Sequence, residues 1–159
     1  MTSKGNTKQE ISEKIEIMSY GHTLWNRTIK YAEACSWGAG RTLADMMRKN
    51  AFESNERVIV ALHDNDIAAF CTLSNRDELP PEYDFKPFVG FVFVDEKYRG
   101  NRLSEKLIDA ACETARKQGF TEIFIMSGEI GLYEKYGFRK KGDYKTIYNS
   151  VEQLFSKDL

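Results

Sequence analysis

The chain has 159 residues, of which 42% are hydrophobic and 30% are charged, and its net charge is −1 from 23 basic and 24 acidic side chains. This length and composition predict one globular domain, residues 1–159, and exclude a disordered chain. The balanced charge is not that of a nucleic-acid-binding surface, so no nucleic-acid partner is expected.

The first half of the chain predicts a strand, two helices and a β-hairpin. A strand is expected within residues 10–20, helices at 23–35 and 41–52, and strands at 58–62 and 67–73. Gly38-Ala39-Gly40 is expected to break the helical pattern between the two helices. The turn at residues 63–66 joins the two later strands as a hairpin.

The second half begins with a loop at residues 76–87 that holds all three prolines and four acidic residues. Phe88–Val94 is apolar on both faces, which predicts a central position in the sheet. Apolar residues recur every four positions from Leu103, which predicts a helix to Gln118 with Gly119 just beyond its end. A strand at 122–126, a short helix at 130–136 and one or two strands within 138–148 complete the predicted elements. Together they predict an α+β sandwich around a mixed sheet.

Two short motifs carry the functional signal. The first is the turn Arg99-Gly100-Asn101-Arg102-Leu103-Ser104, which follows the central strand and precedes the long helix. The first backbone N–H groups of a helix have no intrahelical partner, and the positive end of the helix dipole lies there, so the turn suits a phosphate group. An ordinary helix start with solvated arginines is the alternative. The second motif is Tyr-x-x-x-Gly-Phe at residues 133–138.

Together the two motifs resemble the coenzyme-binding core of the GNAT N-acetyltransferase superfamily, over about residues 57–145. In that family the motif Gln/Arg-x-x-Gly-x-Gly/Ala binds the pyrophosphate of coenzyme A through backbone amides. Arg99 matches its first position, whereas Arg102 and Ser104 stand where the family has small residues. The resemblance implies a mixed, mostly antiparallel sheet with helices on both faces.

The resemblance also implies acetyl-CoA as the co-substrate. The coenzyme-binding residues that it implies are Val92, Phe93, Val94, Arg99, Gly100, Asn101, Arg102, Leu103, Ser104 and Tyr133. The Val92–Val94 segment matches the strand whose main chain pairs with pantetheine in the family. For the side chains of that segment, a plain core strand is the expected role.

The catalytic residues implied are Tyr133 and Glu129. A phenol and a thiol have similar pKa values, about 10 and 8.5, so a tyrosine held against the departing thiolate can protonate it. No carboxylate lies on residues 91–94, where many relatives have the general base. Glu129 is therefore the candidate base, with Asp84 or Glu82 acting through water as alternatives. A solvated surface acid is the competing interpretation for each of the three.

The function predicted from this resemblance is direct transfer of an acetyl group to an amine of a small molecule or a peptide. Two alternatives stay open: a non-catalytic acyl-CoA-binding or regulatory module on the same fold, and a small nucleotide-binding protein. The sequence does not name the acceptor. The acidic loop at residues 77–84 favours a cationic amine.

Other features bear on cofactors and location. Cys35, Cys71 and Cys112 are far apart, and the two histidines form no ligand pair with them, so neither disulfides nor a metal site is expected. Residues 1–10 lack the apolar segment of a secretory signal, and the longest apolar run is too short to span a bilayer. A cytoplasmic protein without a membrane partner is therefore predicted. The sequence does not reveal an oligomeric state, although the homodimer is the commonest one.

Overall fold

The computed structural model describes residues 12–159. Residues 10 and 11 of the predicted first strand lie outside this range. The elements are β1 (Glu13–Met18), α1 (Trp25–Ala34), α2 (Ala39–Arg48), β2 (Arg57–His63), β3 (Asp66–Ser74), β4 (Phe88–Val94), α3 (Leu103–Lys117), β5 (Glu122–Ser127), β6 (Arg139–Lys145) and β7 (Val151–Asp158), with 3₁₀ turns at Glu96–Tyr98 and Tyr133–Tyr136. The strands form one sheet in the order β1-β2-β3-β4-β5-β7-β6.

The sheet is mostly antiparallel and carries helices on both faces. Its one parallel pair within residues 12–159 is β4 with β5. Successive side chains of a strand point to opposite faces. Accordingly, Val58 and Val60 of β2 pack with α1 and α2, whereas Ile59 and Ala61 pack with α3. The predicted α+β class with helices on both faces is confirmed, and β4 is fourth of the seven strands, as its apolar faces predicted.

The junction between the first two helices differs from the prediction. The break between the helices lies at residues 35–38, slightly earlier than predicted, because α1 ends at Ala34 and α2 begins at Ala39, with Gly38 as its N-cap residue and Gly40 inside it. A Cβ built on Gly40 would overlap the carbonyl oxygen of Ala32 in α1. Gly40 therefore lets two helices touch, a role that local periodicity cannot distinguish from helix breaking.

The last strand was missed by the sequence analysis. No element was predicted after residue 148, yet β7 lies between β5 and β6 and pairs antiparallel with both. Its only long apolar residues in the buried centre are Leu154 and Phe155, and polar residues flank them. The sequence of β7 therefore shows no clear alternation of apolar and polar residues, and the segment forms a strand because it pairs with β5 and β6.

The pairing between β4 and β5 creates the opening in the fold. The two strands share one register pair, Phe88 with Phe124, near the beginning of β4. Further along, β4 pairs with β3 through Gly90–Thr72 and then Phe93–Phe70. Between these two pairs, β4 has two residues, Phe91 and Val92, and β3 has only one, Cys71. This is a β-bulge, and Phe91 adopts a positive φ of 48° in it. The bulge turns the β4 backbone at the point where a cleft separates the two strands.

Candidate active site

Two cavities lie in the cleft between β4 and β5, with volumes of about 580 and 550 Å³. We call the first the acidic cavity, because its lining includes Asp77, Glu78 and Glu152. We call the second the turn cavity, because Arg99 and Ser104 line it. Four residues line both cavities: Trp37, Val92, Glu129 and Tyr133. The cleft is therefore continuous, and Tyr133 lies where its two halves meet.

The turn cavity brings together most of the predicted coenzyme-binding residues. Val92, Phe93 and Val94 line one side, and Arg99 and Ser104 line it from the turn. The four turn residues between them, Gly100, Asn101, Arg102 and Leu103, lie outside its lining. The side chain of Leu103 packs in the core under α3. Any contact of Leu103 with a ligand would therefore be through its backbone.

The beginning of α3 has an unusual cap. Arg102 is the N-cap residue, with a left-handed backbone (φ 56°, ψ 32°) that favours glycine, and its side chain makes no capping hydrogen bond. In the coenzyme-binding motif that this turn resembles, the position of Arg102 is occupied by glycine. Arg99 is anchored beside it, since its Nε donates to the carbonyl oxygen of Val94 at 3.3 Å. The remaining guanidinium donors of Arg99 and the N-terminal amides of α3 suit an anion.

Tyr133 is buried, with 6% of its surface exposed, and begins a 3₁₀ turn that Gly137 caps with a φ of 89°. Its ring packs against Phe138 and Phe155. Burial raises the pKa of the Tyr133 hydroxyl above its ordinary value, whereas the neighbouring Ser127 hydroxyl has a smaller, lowering effect. The phenol is therefore protonated at neutral pH and able to donate a proton at the junction of the two cavities.

The acidic cavity is negatively charged. Among the residues that the structure describes, its lining contains four carboxylates, those of Asp77, Glu78, Glu129 and Glu152, and a single basic side chain, that of Arg76. The residues come from the loop after β3, the segment after β5, and β7. Opposite charge attracts cations to such a cavity, and its partly apolar walls increase the effect by lowering the local dielectric constant.

Asp77 is a carboxylate of the acidic cavity that the sequence analysis did not name among the candidate bases. A Cβ built on Gly90 of β4 would lie 3.2 Å from Asp77 Oδ2, so this carboxylate lies directly beside the central strand. Burial raises the pKa of Asp77 to about 7, the charges of Glu78 and Glu152 add to the rise, and the backbone N–H of Glu78 opposes it. Thus a carboxylate from a loop lies beside a strand that has none of its own. The only sign of this arrangement in the sequence was Gly90, a glycine within β4 that leaves room for the Asp77 carboxylate.

The other proposed bases lie in different surroundings. Glu129 is exposed, lines both cavities, and has its backbone held by Ser127 and Gln153. Glu82 and Asp84 are exposed and lie outside the lining of either cavity. The structure therefore brings Glu129, but not Glu82 or Asp84, to the cleft that Tyr133 borders.

Two further predictions concern metals and membranes. Among residues 12–159, no three His, Cys, Asp or Glu side chains are grouped so that they could hold a metal ion. Within the same range, every helix is too short or too polar to cross a bilayer.

Comparison with known proteins gives a family match. A model described as the acetyltransferase (GNAT) family matches residues 31–138. No curated protein sequence is significantly similar to the chain. A GNAT family acetyltransferase from Elizabethkingia anophelis with acetyl-CoA bound has a TM-score of 0.63 and 16% identity, covering 92% of this chain and 98% of its own. An aminoglycoside 6'-N-acetyltransferase complexed with coenzyme A has a TM-score of 0.70 and 10% identity, covering 91% and 96%.

Proposed function

The chain belongs to the GNAT acetyltransferase family, and we propose that it transfers the acetyl group of acetyl-CoA directly to an amine. The observation that supports this most is the position of Tyr133, where the turn cavity meets the acidic cavity. In the proposed complex the coenzyme occupies the turn cavity and the amine of a small molecule or peptide occupies the acidic cavity. Structures of the same fold with acetyl-CoA or coenzyme A bound support this choice of co-substrate.

The proposed reaction forms one bond and breaks one. The amine nitrogen attacks the thioester carbonyl, a carbon–nitrogen bond forms, and the carbon–sulfur bond breaks. Backbone N–H groups of β4 near the bulge stabilise the negative charge on the carbonyl oxygen. The departing thiolate takes the proton of the Tyr133 hydroxyl, and the phenolate regains a proton from solvent before the next turnover.

The proton that the amine must lose goes to a carboxylate. Glu129 is the base expected from the sequence, and Asp77 is the base that the geometry favours. A base works best when its pKa is near the working pH, and the pKa of Asp77 is about 7. Asp77 also lies beside β4, against which the thioester would rest.

The function is tested by measuring release of free coenzyme A thiol from acetyl-CoA with and without a panel of primary amines. We expect thiol release that depends on the amine, together with an acetylated amine of the corresponding mass. Tight binding of acetyl-CoA with no release for any amine would instead indicate a non-catalytic acyl-CoA-binding module. Displacement of coenzyme A by ATP would favour a nucleotide-binding protein.

The turn cavity gives a binding prediction. Arg99→Ala should weaken coenzyme A binding by about 1.5–3 kcal/mol, the size of a hydrogen bond to a charged group, because Arg99 contacts the pyrophosphate in the proposed complex. Glu96→Gln removes an opposing charge from the same cavity and should strengthen that binding. Calorimetry with pantetheine, which has no pyrophosphate, should show neither effect. Equal affinity of the protein for pantetheine and coenzyme A would contradict this prediction.

A further inference from the structure

We propose that the acceptor is an amine with at least two positive charges, such as an alkyl diamine, and that Glu152 binds the ammonium group that does not react. The inference rests on the proposed function, since it names the substrate class of the acidic cavity. It depends on three features of that cavity: an unpartnered carboxylate oxygen, apolar walls, and a second carboxylate for the reacting amine.

The first feature is the carboxylate of Glu152 on β7. Its Oε2 is buried and has no hydrogen-bond partner among the described residues, although the side chain lines the acidic cavity. A Cβ on Gly128 would lie 3.3 Å from this oxygen, so Gly128 leaves room for the carboxylate. A buried carboxylate oxygen without a partner is unfavourable. A ligand that only donates hydrogen bonds and carries positive charge, such as an ammonium group, would satisfy it.

The second feature is the wall of the cavity. Trp37, Phe91 and Tyr148 present aromatic surface to the same space as Glu152. Aromatic faces attract cations and also cover methylene groups, so they suit an alkyl chain that ends in an ammonium group. Two lining residues are also joined by a hydrogen bond, which the Ile147 N–H donates to the Glu78 carbonyl at 2.7 Å. This bond ties the turn between β6 and β7 to the acidic loop.

The third feature is the position of Asp77 relative to Glu152. Asp77 lies beside β4, whereas Glu152 lies on β7, beyond β5 in the sheet. The charge of Glu152 contributes to the raised pKa of Asp77, which indicates that the two carboxylates share one electrostatic environment. In the proposed complex, one ammonium group of the acceptor lies on Glu152 and its other amine lies at Asp77 and the thioester. A monoamine satisfies one carboxylate and leaves the other unpaired.

The test compares putrescine with n-butylamine, which has the same chain length and one charge fewer. For the wild-type protein we expect putrescine to have the higher kcat/KM, by about 10- to 100-fold, the equivalent of one charge-assisted hydrogen bond. At a pH well above 7, where Asp77 is ionised with or without the charge of Glu152, Glu152→Gln should remove that advantage by raising KM for putrescine, with little change in kcat and little change for n-butylamine. The matched control is Glu113→Gln, the same chemical change on an exposed part of α3, which should keep the wild-type preference.

The possible outcomes separate the inference from the proposed function. Equal kcat/KM for the two amines, or an equal effect of Glu152→Gln on both, would overturn the diamine subsite while leaving acetyl transfer intact. If no amine releases thiol, the proposed function fails, and calorimetry of putrescine with the protein and coenzyme A then tests the subsite alone. Binding that Glu152→Gln weakens would support the subsite, and absence of binding would overturn it. Thermal unfolding of the variant should occur at a temperature no lower than that of the wild type, because the substitution breaks no hydrogen bond of this oxygen and removes an unpaired buried charge.

Discussion

Tyr133→Phe should lower kcat by about 10²–10⁴-fold, the usual contribution of a positioned general acid. The phenylalanine ring keeps the contacts with Phe138 and Phe155, so folding and acetyl-CoA affinity should change little. Steady-state thiol release and calorimetry of acetyl-CoA binding measure the two effects separately. The loss should be smaller for an acyl thioester with a more acidic thiol, because that thiolate needs less protonation as it departs.

A second tyrosine, the half-buried Tyr31, provides the control for Tyr133. The Tyr31 hydroxyl lies outside both cavities and donates to Asp95 at 2.9 Å. Tyr31→Phe should therefore reduce the free energy of unfolding by about 1 kcal/mol, the net value of one hydrogen bond, and leave kcat unchanged. Unchanged kcat in Tyr133→Phe on every active substrate would mean that Tyr133 is structural and that another group protonates the thiolate.

Asp77→Asn should remove the general base, with an expected loss of about 10²–10⁴-fold in kcat/KM near neutral pH. In the wild type, kcat/KM should rise as the pH rises through about 7, because Asp77 must be ionised to accept the proton of the amine. The variant should lack this dependence. If Glu129→Gln loses it and Asp77→Asn retains it, then Glu129 is the base. The pH profiles of the two variants decide between the two carboxylates.

The same variant should be more stable than the wild type at high pH. The pKa of Asp77 is higher in the folded protein than its ordinary value, so the folded state binds the proton more tightly than the unfolded state does. Stability of the wild type therefore decreases as the pH rises from about 4 to about 7, and the uncharged amide of the variant cannot contribute to that decrease. Asp77→Asn should gain on the order of 2 kcal/mol at pH 8 after allowance for solvent screening, and almost nothing at pH 4.

Denaturant unfolding at these two pH values measures that gain. A variant that is less active but more stable is expected when a carboxylate is kept in an unfavourable environment for its chemistry. If the variant is less stable than the wild type at pH 8, Asp77 instead supports the fold, and its loss of activity would not identify a base.

The sequence predicted those parts of the molecule whose signal is local. The four-residue spacing from Leu103, followed by Gly119, identified the long helix to within one residue of its observed end at Lys117. The continuous apolar run Phe88–Val94 predicted the central strand, since a strand covered on both faces typically lacks polar residues. The spacing of Tyr133 from Gly137 identified the segment that borders both cavities. In each case neighbours in the chain are also neighbours in space.

The features that the sequence did not predict depend on contacts between residues that are distant in the chain. The role of Gly40 depends on the backbone of a second helix, and β7 exists because β5 and β6 pair with it on either side. A carboxylate on the surface and a carboxylate in a cleft have the same sequence signature, because pKa and binding depend on burial and on nearby charges. Asp77 and Glu152 are 75 positions apart and line one cavity, whereas Glu82, five positions from Asp77, lies outside it. Only the folded sheet brings Asp77 and Glu152 to one cavity, and it leaves Glu82 outside that cavity although Glu82 is close to Asp77 in the sequence.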